Sequence, residues 1–375
     1  MRWGTHAVAR TAALAGAITG AGAALLLAGR RVSDLAVRIP GSGGPALTVE
    51  DAGPGSITLS GAAADAPGDY ALRWGRDGRA LVGPPTDILE DGAAVRPVRS
   101  VEGDDPLRPG LPVRLSVELH TGDPRSALDL LHRDITVTGE TGPLPAWHVL
   151  GTRTTWVILA HGLGTTRALA LNVLRQIAAF EVPALVVSKR GDPGAPPSPD
   201  GLDHLGATEW RDLAAAVRAA RARGARRVIL YGWSTGATMA LRASADPEVR
   251  AVLAGLVLDA PILDWRTVLR GRADRRGVPR LLTKLGEWSA EGRAGLPAGP
   301  SPSTAPAKAE LTVPTLLVQG SADALTGPLA TAELAARFPS LATYLPVAGG
   351  IHEGAWNAAP ERYEETLRRF LTPLV

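Results

Sequence analysis

The sequence predicts an α/β chain: a doubly wound, mostly parallel sheet in its C-terminal part, preceded by a small β-rich domain and an N-terminal transmembrane helix. Three observations carry this. From residue 155 onward, short apolar runs alternate with helical patterns, the sequence form of a parallel sheet covered on both faces. Residues 32–142 instead show short alternating runs among Gly, Pro and Asp turns, the pattern of antiparallel strands. Residues 11–29 form a stretch of 19 without a charge, long enough to cross a bilayer.

The N-terminal segment, residues 1–31, is expected to be an uncleaved single-pass anchor at the cell membrane. Arg2 and Arg10 precede the apolar stretch and Arg30, Arg31 and Arg38 follow it, so the charges set no orientation. A cleaved signal peptide, giving a secreted protein, is the alternative; no convincing small-x-small cleavage site precedes Arg30-Arg31, which speaks against it. A buried alanine-rich helix is the soluble alternative. In residues 32–142 the runs Ser56–Ser60, Tyr70–Trp74 and Val113–Leu119 read as strands. Thr141–Pro145 reads as the junction to the next domain, and the role of this β-rich domain is either docking or shaping a site entrance.

In residues 143–375, strands are expected near 155–160, 184–188, 227–232, 255–259, 315–319 and 342–346. Helices are expected near 166–180, 207–223, 235–246, 327–338 and 358–371. Between Asp264 and Pro314 the alternation stops, which marks a cap insertion. From Arg266 to Lys284 it carries seven basic residues against one acid, which suits anionic head groups or simply a solvated helix face. The proline-rich loop Arg190–Gly201 forms the site rim, with Asp192 and His204 expected as surface loop residues.

The chemistry concentrates at the carboxyl ends of these strands. Gly232-Trp233-Ser234-Thr235-Gly236 follows the strand Arg227–Tyr231 and precedes the helical Ala237–Ala243. Strand, Gly-x-Ser-x-Gly, helix is the context of a nucleophile elbow. With 43 glycines in 375 residues the motif alone is weak, and three further features support it. His161-Gly162-Leu163-Gly164 follows an earlier strand, where the second oxyanion N–H is needed; Leu163 and Thr235 are the expected donors. His352 is the single one of seven histidines downstream of Ser234, on a glycine-rich loop beyond a strand. Asp323 follows the strand Thr315–Gly320 and can hold the imidazole; Asp259, at the end of the strand Leu256–Leu258, is the rival acid.

Residues 143–375 resemble the α/β-hydrolase superfamily, in particular its serine aminopeptidase-like and lysophospholipase-like branch. The matching motifs are His161–Gly164, Gly232–Gly236, Leu258–Pro261, Gln319–Asp323 and Gly350–His352. The resemblance implies Ser234, Asp323 and His352 as the triad, with Leu163 and Thr235 as oxyanion donors and the glycines 162, 232 and 236 shaping the turns. Ala237 stands where many relatives have a second glycine. The implied activity is hydrolysis of a small-molecule or lipid-like carboxylic ester. A peptidase or acyltransferase on the same triad, and a non-catalytic binding protein on the same fold, remain alternatives. Neither metal nor cofactor is required.

Composition bounds the rest. Zero cysteines exclude disulfides and thiolate chemistry. A formal net charge of +3, without interleaving of basic and aromatic residues, gives nucleic-acid binding little support.

Overall fold

Two sheets divide the chain, and the second is the expected parallel one. The computed structural model describes residues 27–35, 44–274, 276–294, 296 and 311–375. In the first sheet are β1 (Ala46–Gly53), β2 (Ser56–Ser60), β3 (Tyr70–Trp74), β4 (Gly78–Val82), β5 (Asp87–Ile88), β6 (Ala94–Glu102) and β7 (Pro112–Ser116). They run in the order β2-β1-β7-β3-β4-β6-β5, and β2 also pairs with β6, so the sheet closes on itself as a small barrel. All of its pairings are antiparallel. Closure removes the open edges that a short-stranded sheet would otherwise present. Arg96 on β6 is fully buried here; its guanidinium donates to the carbonyls of Ala66, Gly68 and Gly83.

The second sheet contains β8 (His132–Thr138), β9 (Pro143–Val149), β10 (Thr155–Ala160), β11 (Ala184–Val187), β12 (Arg227–Trp233), β13 (Leu253–Asp259), β14 (Thr315–Gly320) and β15 (Ala342–Val347). Their order is β15-β14-β13-β12-β10-β11-β9-β8. Strands β10 to β15 are parallel, while β9 and β8 add antiparallel at one edge. The change of sheet therefore falls before residue 132, earlier than the boundary expected at 142. The stretch Thr141–Pro145 expected as the junction lies in the hairpin between β8 and β9, which turns at Gly139–Gly142.

Alternation along the central strands sorts the core into two faces. Val157, Leu159, Ile229, Tyr231 and Trp233 face α1 (Leu171–Ala178), the C-terminal helix and the barrel. Ile158, Val228, Leu230 and Leu256 face α2 (Trp210–Arg221) and α3 (Thr235–Ala243). Where one helix was expected over 166–180, a 3-10 turn, Arg167–Ala170, leads into α1. Among its described residues the expected insertion carries two helices, α4 (Trp265–Asp274) and α5 (Arg280–Ala294). After it come α6 (Pro328–Arg337) and α7 (Pro360–Leu371).

The expected anchor, 11–29, falls almost entirely outside the described residues. Residues 27–35 are helical and lie on the cap: Arg293 of α5 bonds to Ser33 Oγ, Asp34 and the Arg30 carbonyl. Among the described residues no helix is long and apolar enough to cross a membrane.

Candidate active site

Ser234 sits between β12 and α3 with φ 50° and ψ −114°. A left-handed conformation at a non-glycine residue costs on the order of 1–3 kcal/mol, and the surroundings enforce it. The Ser234 N–H donates to the Asp259 carbonyl at 2.8 Å, and the Ser234 carbonyl accepts from Thr238 N–H at 3.1 Å. The flanking glycines are needed for close approach. A Cβ on Gly232 would lie 2.2 Å from the Gly236 carbonyl, and one on Gly236 would lie 2.0 Å from the Ala160 carbonyl oxygen. Both obstacles are backbone, which cannot give way.

The hydroxyl faces His352, carried on the loop after β15. Ser234 Oγ lies 2.8 Å from His352 Nε2, and His352 Nδ1 lies 2.8 Å from Asp323 Oδ2. Asp323 is buried after β14 and accepts four more hydrogen bonds, from Leu325 N–H, Thr326 N–H, Thr326 Oγ1–H and Gln319 Nε2–H. Burial alone would raise its pKa, but the charge and bond of His352 and the Thr326 donors outweigh that and hold it well below the carboxylate range. For His352, burial works toward a lower pKa, yet the Asp323 charge and hydrogen bond leave it raised above 6.5.

Asp259, the rival acid, does not reach His352. Its Oδ2 accepts from Tyr363 Oη–H at 2.8 Å, and burial pushes its carboxyl up to about 7. What it gives the site is its backbone carbonyl, which holds Ser234.

Both residues expected as oxyanion donors, Leu163 and Thr235, carry a backbone N–H that no group among the described residues accepts. Thr235 opens α3, so its N–H has no intrahelical acceptor. The Gly162 N–H is taken by Thr165 Oγ1 at 3.2 Å, and among the described residues nothing accepts from Leu163 N–H. Gly162 is packed tightly: a Cβ there would lie 1.8 Å from Glu353 Oε1 and 2.6 Å from Ser234 Cβ. Leu163 clusters with Leu202, Leu205, Ile262 and Leu325 and with Trp265 of the cap helix α4.

Of the two residues expected on the surface, His204 is buried and Asp192 is largely shielded. Asp192 Oδ2 sits 2.7 Å from His161 Nε2 and accepts from Lys189 N–H at 2.8 Å. His204 lies between Asp200 and Glu209. The loop is proline-rich, yet Lys189, bonded to Asp203 at 3.0 Å, and Arg190, bonded to Asp212, draw it inward. Their charges are paired, Lys189 with Asp203 beyond the loop and Arg190 with Asp212 on α2, so burial is permitted.

Two acids at the site carried no sequence signal of their own. Glu353, next to His352, is buried with Oε1 3.5 Å from Thr165 Oγ1. Its place beside the histidine in a Gly-rich loop is the one hint. Glu118, from the segment just after β7, bonds to Thr166; its 48-residue separation from that partner leaves nothing to read locally.

Comparison with known proteins bears on the family and the fold. Residues 157–366 match the model of the Alpha/beta hydrolase family, and residues 47–116 match that of a Domain of unknown function (DUF8805). Among solved structures, an esterase from Pyrococcus furiosus aligns with a TM-score of 0.55 at 18% identity, over 68% of this chain and 95% of that chain. An α/β serine hydrolase without a lid from Xanthomonas campestris aligns with a TM-score of 0.47 at 18% identity, over 64% and 94%. At 18% identity the likeness to the Pyrococcus furiosus esterase is one of fold. No curated protein matches the sequence.

Proposed function

The chain belongs to the alpha/beta hydrolase family, and we propose that it is a serine hydrolase that cleaves a carboxylic ester through an acyl-serine intermediate. The observation that carries this reading is the hydrogen-bonded line from Ser234 Oγ through His352 to Asp323. His352 Nε2 takes the Ser234 proton as Oγ attacks the carbonyl carbon. The oxyanion is received by the Leu163 and Thr235 amides. His352 then protonates the departing alkoxide, which leaves as the alcohol. In the second half-reaction His352 takes a proton from water, the hydroxide attacks the acyl-serine, and the proton returns to Ser234 Oγ as the acid departs. Asp323 stays ionised throughout and fixes the imidazole tautomer.

The apolar cluster of Leu163, Leu202, Leu205, Ile262 and the cap residue Trp265 supports an acyl or lipid-like group. An ester is also in keeping with the esterase from Pyrococcus furiosus that shares the fold. The test is turnover of p-nitrophenyl esters of increasing acyl length by the full chain. Ser234→Ala is expected to lose at least about 10³-fold in kcat. Inactivity of the folded wild type, or unchanged turnover by Ser234→Ala, would overturn the reading in favour of a binding role. Faster product formation with an added alcohol would favour acyl transfer.

For location we propose the cell membrane, with residues 11–29 as a single-pass anchor. Their uncharged sequence supports this. So does the docking of residues 27–35 on α5, whose outer face exposes Leu281 and Trp288. Retention in the membrane pellet after alkaline carbonate extraction is the expected result; release to the supernatant would contradict it.

A further inference from the structure

The oxyanion loop begins where β10 ends and finishes at Thr166, which opens the 3-10 turn Arg167–Ala170. Its near end is pinned by His161, whose Nε2 is 2.7 Å from Asp192 Oδ2. Its far end is held by a residue from outside the parallel-sheet unit. Glu118, 6% exposed, accepts at Oε1 from Thr166 N–H at 2.6 Å and from Thr166 Oγ1–H at 2.8 Å. Its other oxygen accepts from Arg73, on strand β3 of the barrel, at 3.1 Å.

The segment carrying Glu118 is itself fixed from two sides. The Val117 carbonyl accepts from Asn172 Nδ2 at 2.8 Å and from Asn357 Nδ2 at 3.1 Å. Glu118 and Thr166 also line a cavity of about 370 Å³ between the two domains. On that side the loop is braced by hydrogen bonds and not by close packing. Between the two pins stand Gly162, Leu163, Gly164 and Thr165, of which Gly164 has φ 87°. Gly162 is packed against Ser234 and Glu353 and the Leu163 side chain against its apolar cluster, while Gly164 leaves the far half of the stretch compliant, so the aim of the Leu163 amide depends also on how that far end is held. The other tie at the far end, Thr165 Oγ1 to Glu353 Oε1, is long at 3.5 Å.

We propose that Glu118 is a positioning residue for the oxyanion loop, and that the N-terminal barrel is thereby a working part of the active site. This rests on the serine hydrolase reading above. The barrel delivers one carboxylate, oriented by Arg73, to the end of the loop that carries the Leu163 donor. A donor misplaced by about 1 Å can slow a reaction about 100-fold, and loss of an oxyanion donor costs about 10²–10³ in kcat.

The experiment compares wild type, Glu118→Ala and Glu118→Gln in the full chain on p-nitrophenyl butyrate, with Ser234→Ala as the blank and circular dichroism to confirm folding. Glu118→Ala is expected to lower kcat by about 10–100-fold while KM changes less than about threefold. Glu118→Gln keeps a neutral acceptor for Thr166 and is expected to recover part of the loss. A folded Glu118→Ala with wild-type kcat, or a loss carried wholly by KM, overturns the proposal. If Glu118→Ala does not fold, Glu118→Asp decides: its charge is retained but its carboxylate stops one methylene short of Thr166. Slow turnover then supports the proposal and wild-type turnover overturns it. Absence of Ser234-dependent turnover in the wild type is a separate result, and removes the hydrolase reading together with this one.

Discussion

Glu353 offers a quantitative test of the site's electrostatics through stability. It follows His352 directly, is 4% exposed, and lies against Gly162 and Thr165. Burial pushes its carboxyl from 4.5 up to about 7, with the nearby His352 and His161 pulling the other way. Between those two pH values the folded protein keeps a proton that the unfolded chain has already released. Stability therefore falls as pH rises through this window, and the full penalty is present above it. A carboxyl raised over that range represents about 3 kcal/mol. Glu353→Gln preserves the shape and removes the titration. Its Tm relative to wild type should rise between pH 5 and pH 8.5, by on the order of 6–12 °C at about 2–4 °C per kcal/mol. Thermal unfolding followed by circular dichroism at matched ionic strength reads this directly. A Tm difference constant to within about 1 °C across that range would refute the reasoning, because it would mean that the carboxyl titrates alike in both states.

Four other outcomes follow from the same geometry. Asp323→Asn should lower kcat by about 10³–10⁴-fold, since the amide favours the wrong tautomer of His352, whereas Asp259→Asn should change kcat by less than about tenfold; equal losses in the two would contradict the assignment of the acid. The acid limb of kcat/KM should have its midpoint above 6.5, because His352 must be neutral to act as base and its pKa is raised; a midpoint below 6.5 would contradict this. Gly236→Ala should yield no folded, active protein, as its Cβ would meet the Ala160 carbonyl at 2.0 Å; a soluble, active variant seen by gel filtration and ester turnover would argue against the elbow geometry. Arg96→Met should destabilise the barrel by on the order of 3 kcal/mol by leaving buried carbonyls unpaired, read as a lower midpoint in urea.

The features legible in the sequence are those set by local backbone demands. The elbow shows itself because two backbone approaches leave room for glycine alone at 232 and 236, so the demand is written into the residues. The parallel strands stand out because both of their faces are buried, which makes continuous apolar runs such as Val157–Ala160 and Val228–Tyr231. The acid was narrowed to two. Asp259 ends β13 and Asp323 lies three residues beyond β14, and what separates them is that Tyr363, 104 residues away from Asp259, holds the Asp259 side chain. The barrel was only partly visible. β6 contains Pro97 and β7 starts at Pro112, and prolines weaken a strand pattern. The supports of the oxyanion loop left no local trace. Asp192 reaches His161 across 31 residues and Glu118 reaches Thr166 across 48. Pairings of that kind exist only once the chain has folded.

The most direct test of the account is the site of covalent modification. The full chain would be treated with a fluorophosphonate, digested, and mapped by mass spectrometry. The account predicts a single stoichiometric adduct on Ser234, absent from Ser234→Ala and formed far more slowly by His352→Ala. A folded protein that carries no adduct on Ser234, or that is modified at the same rate without His352, would contradict it.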